Sequence, residues 1–292
     1  MDLHLGHTTV LIGDKNGKYP HGNSLLIRGS DATAIVDPSM AVVARADELR
    51  DQADLVLLSH VHEDHVAGVH LYPRAEVHAH RLDAPGVRAI EGIMAIYGYD
   101  GFDGVRSFLV DQFHYSERPD ARDYEDGAVF DLGGVTLRAI HTPGHTRGHS
   151  VFLIEPGGIL FLGDIELSSF GPYYGDAWSD LEDFERSIAK VRDIDARVWV
   201  SFHHVGVIED RAQFIDRLDR FAGRIAERER AMLEYLREPR SLDEMVAHRF
   251  LYPEHATFPF IDVVERRTID QHLARLSRQG RVRQVDDRWV AG

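Results

Sequence analysis

The chain contains no cysteine in 292 residues. That absence excludes disulfides, thiolate nucleophiles and zinc-thiolate sites together, so a metal is expected to be held by His, Asp or Glu. No apolar run approaches the roughly 18 residues needed to cross a bilayer, so no membrane partner is expected. The start, Met1-Asp2-Leu3-His4, has no basic stretch leading into an apolar one, which argues against a secretory signal and makes the cytoplasm the expected compartment. Positive charge is in short supply: 33 Lys and Arg face 48 Asp and Glu, a net of −15. This balance argues against wholesale wrapping of nucleic acid, which needs a cationic face, and leaves open only a local basic groove. Internal repeats of short period and low-complexity tracts are also lacking.

Histidine, by contrast, is abundant, with 18 residues gathered in clusters. A hydrophobic fraction of 43% and a charged fraction of 28% are ordinary for a globular chain. The length suits one large α/β domain with a small appendage. Residues 9–12, 24–27 and 33–36 are short apolar segments bounded by Gly, Asp or Pro and read as strands. Residues 53–58, apolar but for Asp54, form a run suited to a strand buried on both faces, and it leads straight into His60. A second set follows at 135–140, 150–154 and 159–162, the last two joined by a Pro156-Gly157 turn. An amphipathic helix over 181–191 and a buried strand over 197–201 come next.

From Arg211 the pattern turns helical, with Phe214, Leu218, Phe221 and Ile225 at spacings of three and four. A boundary is placed at 226, giving domains 1–226 and 227–292. In the tail, Ser241-Leu242-Asp243-Glu244 has the form of a capping box. Ile261, Val264, Ile269, Leu273 and Leu276 line a helix stopped by Gly280, and residues 282–290 alternate like a two-stranded wing. Residues 238–292 carry nine basic and nine acidic side chains, so essentially all of the −15 lies in the larger domain.

Four strands end in ligand-type side chains. After the first come His60, His62, Asp64 and His65, four such residues in six. Two imidazoles on one side of a turn, with a carboxylate and an imidazole on the other, can hold two adjacent cations. His145, Asp164 and the pair His203-His204 follow later strands. Imidazole and carboxylate are donors preferred by zinc and accepted by iron or manganese.

These motifs carry a resemblance. The run His60-Val61-His62-Glu63-Asp64-His65, the run Thr142-Pro143-Gly144-His145-Thr146-Arg147-Gly148-His149, Gly163-Asp164 and a late His after a strand resemble the metallo-β-lactamase superfamily, in its glyoxalase II-like branch, over roughly residues 1–210. The resemblance implies an α/β fold, an αββα sandwich with a dinuclear site at one edge. It implies that His60, His62 and His145 bind one divalent metal, that Asp64, His65 and one of the pair His203-His204 bind a second, and that Asp164 bridges them; His204 is the choice, because Val205-Gly206-Val207-Ile208 resembles the family's turn after its final His, and the other of the pair is left in the pocket wall. Zinc is the expected metal, with Fe or Mn as alternatives. Asp37 resembles the family's residue that orients a ligand histidine, and His149 is expected to support the ligands. The tail resembles the β-lactamase-associated winged-helix module, with Leu242, Met245 and Val246 and the run 269–276 as its marks.

The expected chemistry is hydrolysis of a small ester, thioester or lactone by a hydroxide bridging the two metals, with Asp64 as the catalytic residue that orients it or shuttles its proton. A bridging Asp164 resembles the family's thioesterases, lactonases and phosphodiesterases more than its true β-lactamases. A single-strand endoribonuclease or phosphodiesterase is the alternative, and a non-hydrolytic diiron protein is a more distant one. A small molecule is therefore the expected partner and nucleic acid is not favoured. The aromatic stretches 97–104, with Tyr99 and Phe102, and 170–174 are candidates for an apolar pocket wall, for core, or for homodimer contacts. His78, His80, His4, His7, His70 and His114 are expected to be packing or surface residues, and His21 is the one of the remainder placed to reach a substrate.

Overall fold

The computed structural model describes residues 2–99 and 104–292; Met1 and Phe102 lie outside the described residues. The predicted strands assemble into two sheets. The first contains β1 (Leu3–Leu5), β2 (Thr8–Leu11), β3 (Ser24–Arg28), β4 (Thr33–Val36), β5 (Leu55–Leu57), β6 (Glu76–His80) and β7 (Arg122–Tyr124) in sequence order. Its first four strands pair antiparallel and the rest parallel. The second contains β8 (Val129–Asp131), β9 (Thr136–His141), β10 (Ser150–Glu155), β11 (Ile159–Phe161), β12 (Val198–Val200) and β13 (Val207–Ile208), ordered 13-12-11-10-9-8.

Alternation of side chains decides how the sheets stack. In β3, Leu25 and Ile27 face one core and Leu26 another; in β4, Ala34 and Val36 oppose Ile35 in the same way. The first set meets Leu137, Ala139, Phe152, Ile154 and Phe161 of the second sheet, so the sheets pack face to face. Leu26, Ile35 and Val56 instead pack under Val87, Ile90 and Ile93 from helices Ala84–Arg88 and Ile90–Tyr97. On the far side, Val151, Leu153, Leu160 and Trp199 pack under Phe184, Ile188, Phe214 and Leu218 from helices Leu181–Arg192 and Arg211–Tyr235. The result is an αββα sandwich. Each fully buried Leu or Phe here stabilises it by about 1.5–3 kcal/mol.

Strand direction then collects the ligand-type residues. β9 and β11 both pair antiparallel with β10 and so run the same way, and β12 pairs parallel with β11. The C-terminal ends of all three therefore open on one edge of the sandwich. Gly144 is required where the loop after β9 crosses the helix Leu181–Arg192: its φ is +126°, and a Cβ there would stand 2.2 Å from the Phe184 nitrogen.

The tail has a core of its own, with Met232, Leu236, Met245, Val246, Ile269, Leu273, Leu276 and Val282. It contains helices Leu242–His248 and Ile261–Arg278 and a small sheet of β14 (Arg240–Ser241), β15 (Val282–Val285) and β16 (Arg288–Ala291). Ser241 and Glu244 form the capping box reciprocally. The helix Arg211–Tyr235 runs unbroken through residue 226, where the sequence pattern places the boundary. The reason is that one helix serves two cores, with Ile225 in the sandwich and Met232 in the tail. No helix among the described residues is long and apolar enough to cross a membrane.

Candidate metal centre

The turn after β5 places His60 at a bend, His62 in extended chain and Asp64 and His65 in the short helix Glu63–Val66, all buried. His60, His62, His145 and Asp164 offer donor atoms within 4.8 Å of one another, and so do Asp64, His65 and His203. Asp164 touches both groups: its Oδ2 lies 3.2 Å from His145 Nε2 and its Oδ1 lies 3.0 Å from His65 Nε2. His203 Nε2 is 2.9 Å from Asp64 Oδ2.

Close as these approaches are, several do not have hydrogen-bond geometry. His60 Nε2, His65 Nε2, Asp64 Oδ2 and Asp164 Oδ1 are buried without a hydrogen-bond partner among the described residues. Buried polar atoms are ordinarily paired, so unpaired imidazole and carboxylate donors converging on one space are suited to divalent cations.

The supporting contacts fix the orientation of each ring. Asp37 accepts from His65 Nδ1 at 2.8 Å and from the Ser59 backbone N–H at 2.7 Å. His203 Nδ1 donates to the Gly17 carbonyl at 2.8 Å, and His145 Nδ1 to the Tyr173 carbonyl at 3.0 Å. His149 Nε2 accepts the Asp164 backbone N–H at 3.0 Å while its Nδ1 donates to the Thr142 carbonyl. His149 thus ties the loops carrying His145 and Asp164 together.

Electrostatics divide the cluster. Burial, reinforced by His65, His145 and His62, holds the His60 imidazole well below the usual histidine range. Burial, with His145 adding to it, lowers His149 to about 3. At His203 burial opposes the charge, but the carboxylates of Asp164 and Asp64 outweigh it and push the ring up to about 10. Burial raises Glu166 to about 6.

Of the pair His203-His204, His204 lies outside the donor cluster. At this residue the chain turns through a left-handed conformation, φ 62°, which sends its side chain outward to 36% exposure, 4.0 Å from Glu166. His203, not His204, enters the cluster. His21 does not line the adjoining cavity, and His80 stacks on His141 with centroids 4.2 Å apart, away from the cluster.

A cavity of about 630 Å³ opens beside the donors. Its wall includes nine aromatic rings, from Tyr19, Tyr97, Tyr99, Phe108, Phe170, Tyr173, Tyr252, Phe258 and Phe260. Among the described residues lining it there is no Lys or Arg, while Glu63, Asp64, Asp111, Asp164, Glu166 and Asp176 are all present. The stretches 97–104 and 170–174 contribute Tyr97, Tyr99, Phe170 and Tyr173. Tyr174 turns away to contact His272 at 2.8 Å.

Residues 19–224 match the family model described as the metallo-beta-lactamase superfamily. The chain belongs to this superfamily. Among its relatives, an atrochrysone carboxyl ACP thioesterase of Aspergillus fumigatus is 30% identical over 189 residues, 65% of this chain and 49% of the relative. A protein of the same name from Aspergillus chevalieri is 28% identical over 240 residues, 80% of this chain and 62% of the relative. The chain thus spans roughly half to three fifths of the length of these relatives. A metallo-beta-lactamase family protein from Thermus thermophilus has a similar structure, with a TM-score of 0.73, 25% identity and 99% of both chains covered. A beta-lactamase domain protein from Burkholderia ambifaria shares the fold, with a TM-score of 0.71, 16% identity and coverage of 100% and 93%.

Several residues at the centre escape sequence reasoning. Glu63 lies inside the first motif but looks like a spacer; in the fold it is buried, accepting from Tyr19 at 2.9 Å and from Tyr97. Glu166, two residues after Asp164, joins a third donor group with Asp164 and His203. Asp176 lies 3.1 Å from His62 Nε2, and Asp83 accepts from the Gly148 N–H at 2.7 Å and from the Thr146 hydroxyl. Nothing local marks either aspartate, because each meets its partner across the fold.

Proposed function

We propose that the chain is a metal-dependent hydrolase of uncharged acyl thioesters or esters, lactones included, working with two divalent cations. The observation that carries this reading is the character of the cavity beside the donors, which is aromatic, lined by carboxylates and free of Lys and Arg among the described residues. Such a space welcomes a neutral acyl group and offers no Lys or Arg to hold a phosphodiester's flanking charges. Membership of the superfamily, and the thioesterase names of two relatives, support hydrolysis as the class of reaction.

In this assignment His60, His62 and His145 would hold one cation and Asp64, His65 and His203 the other, with Asp164 in reach of both donor groups. Zinc suits the donor set, and so do iron and manganese. The cations supply Lewis acidity and bring the pKa of water from about 15.7 toward about 7. The remaining work belongs to the chain. Asp64 orients the attacking water or takes up its proton. Asp37 keeps the His65 ring turned inward, His149 holds the Asp164 loop, and the aromatic wall seats the acyl group while excluding bulk water. The winged-helix-like tail serves in this reading as part of that wall, not as a reader of nucleic acid; its equal numbers of acids and bases fit such a role.

The test is a panel of thioesters, esters, lactones, phosphodiesters and RNA, run on protein whose metal content is measured in the same sample. Thioester or ester turnover is expected, and Asp64→Ala is expected to abolish it. Cleavage of RNA alone, or a fully active, metal-loaded Asp64→Ala variant, would overturn the proposal.

A further inference from the structure

A column of near-parallel rings runs from the metal centre to the tail. His62 stacks on Tyr97 with centroids 5.2 Å apart, Tyr97 on Tyr99 at 5.3 Å, Tyr99 on Phe260 at 5.2 Å and Phe260 on Phe258 at 5.5 Å. Every interplanar angle is 19° or less. The column begins on a donor residue of the sandwich and ends on two rings of the tail.

The segment carrying those two rings is firmly built. The buried carboxylate of Glu265 accepts the backbone N–H groups of Phe250, Leu251 and Tyr252 at 2.7–2.9 Å. Arg249 donates to the carbonyls of Pro253, Glu254 and Ala256. Across the junction, Arg267 donates to the carbonyls of Tyr97 and Gly98, which locks the tail to the helix end that presents Tyr97.

The polar ends of the wall are already engaged. Tyr99 and Tyr173 both donate to Asp176, at 2.6 and 3.0 Å, and Tyr19 and Tyr97 both donate to Glu63. With four hydroxyls held by buried carboxylates, these four tyrosines offer a ligand ring surface rather than their polar ends. Phe258, 51% exposed, stands at the end of the column with ring surface open to solvent.

We propose that the tail is the specificity element of the enzyme: residues 252–260 complete an acyl site that selects a flat, uncharged aromatic acyl group. A flat aromatic acyl gains ring-to-ring contacts that a linear chain of equal area does not. The substrate assignment rests on the hydrolase reading above, whereas the ring-binding site itself does not.

The experiment uses the full chain with metal and three uncharged N-acetylcysteamine thioesters, of acetate, octanoate and 2-naphthoate. In parallel, calorimetry measures binding of an uncleavable 2-naphthyl ketone analogue, with CH2 replacing the thioester sulfur, to metal-free protein. The naphthoyl thioester is expected to exceed both others at least tenfold in kcat/KM. Phe260→Ala should lower the naphthoyl-to-acetyl ratio about tenfold, mainly through KM, with the ketone affinity falling alongside and Phe260→Tyr restoring both. The exposed Phe258→Ala, which removes little buried surface, should lower the ratio about threefold and guards against misfolding of the first variant. An octanoyl thioester matching or beating the naphthoyl one, or ratios unmoved in both alanine variants, would overturn the inference while leaving the hydrolase reading intact. Ketone binding that depends on Phe260 without turnover of any thioester or ester would do the reverse.

Discussion

Asp37→Ala probes how the centre is held together. Asp37 is fully buried, and its two oxygens receive the His65 ring N–H, the Ser59 backbone N–H and the Ser59 hydroxyl. The hydroxyl can rotate to another acceptor, but the two N–H groups cannot. Leaving each buried donor unmet costs about 1–3 kcal/mol, so the metal-free protein should lose about 2–6 kcal/mol of stability. The φ of 46° at this position adds strain for alanine, which Asp37→Asn largely avoids. Losing the group that orients a ligand histidine also typically weakens metal binding 10- to 100-fold. Urea unfolding of metal-free protein gives the first quantity, and competition with a chromogenic chelator gives the second. A destabilised Asp37→Ala protein that still binds both metal equivalents at wild-type affinity would refute the orienting role.

Two further outcomes are expected. His203→Ala should lose one bound metal equivalent by elemental analysis while His204→Ala keeps two; the opposite pattern would return the ligand role to His204. His80, packed between Tyr124 and His141, is lowered to about 4 by burial, with His141 adding to the effect. Its folded pKa lies below the unfolded value, so its contribution to stability is complete above about pH 6.5 and is lost as the pH falls toward 4. Between pH 8 and 4.5 the wild type should therefore lose about 1–2 kcal/mol more than His80→Gln in urea unfolding, allowing for solvent screening. Equal losses would show that the stacked ring titrates freely.

The sequence discloses those parts of the centre that are local. A strand that ends and immediately presents His60, His62, Asp64 and His65 carries its chemistry within one turn of chain, and the same holds for His145 and Asp164. The sandwich itself was legible because strands buried on both faces need unbroken apolar runs, as at 55–58. The choice between His203 and His204 was not legible, since it depends on a left-handed φ that neither residue type dictates. Asp176, and the use of Glu63 by two tyrosines, are set by tertiary contacts between segments far apart in the chain. The passage from one core to the next near residue 226 is hidden for a related reason: the apolar spacing of the helix continues smoothly while the core it faces changes.

That shared helix has a mechanical consequence. A single rod of 25 residues, Arg211–Tyr235, is bolted into both bodies, so among the described residues helix stands at the junction where a flexible linker would let one swing against the other. The outer wall of the cavity is accordingly tied to the body that carries the donor cluster, like a vice already set to its working gap. On the proposed reading, guests are sorted by whether they match a preset opening beside Phe258.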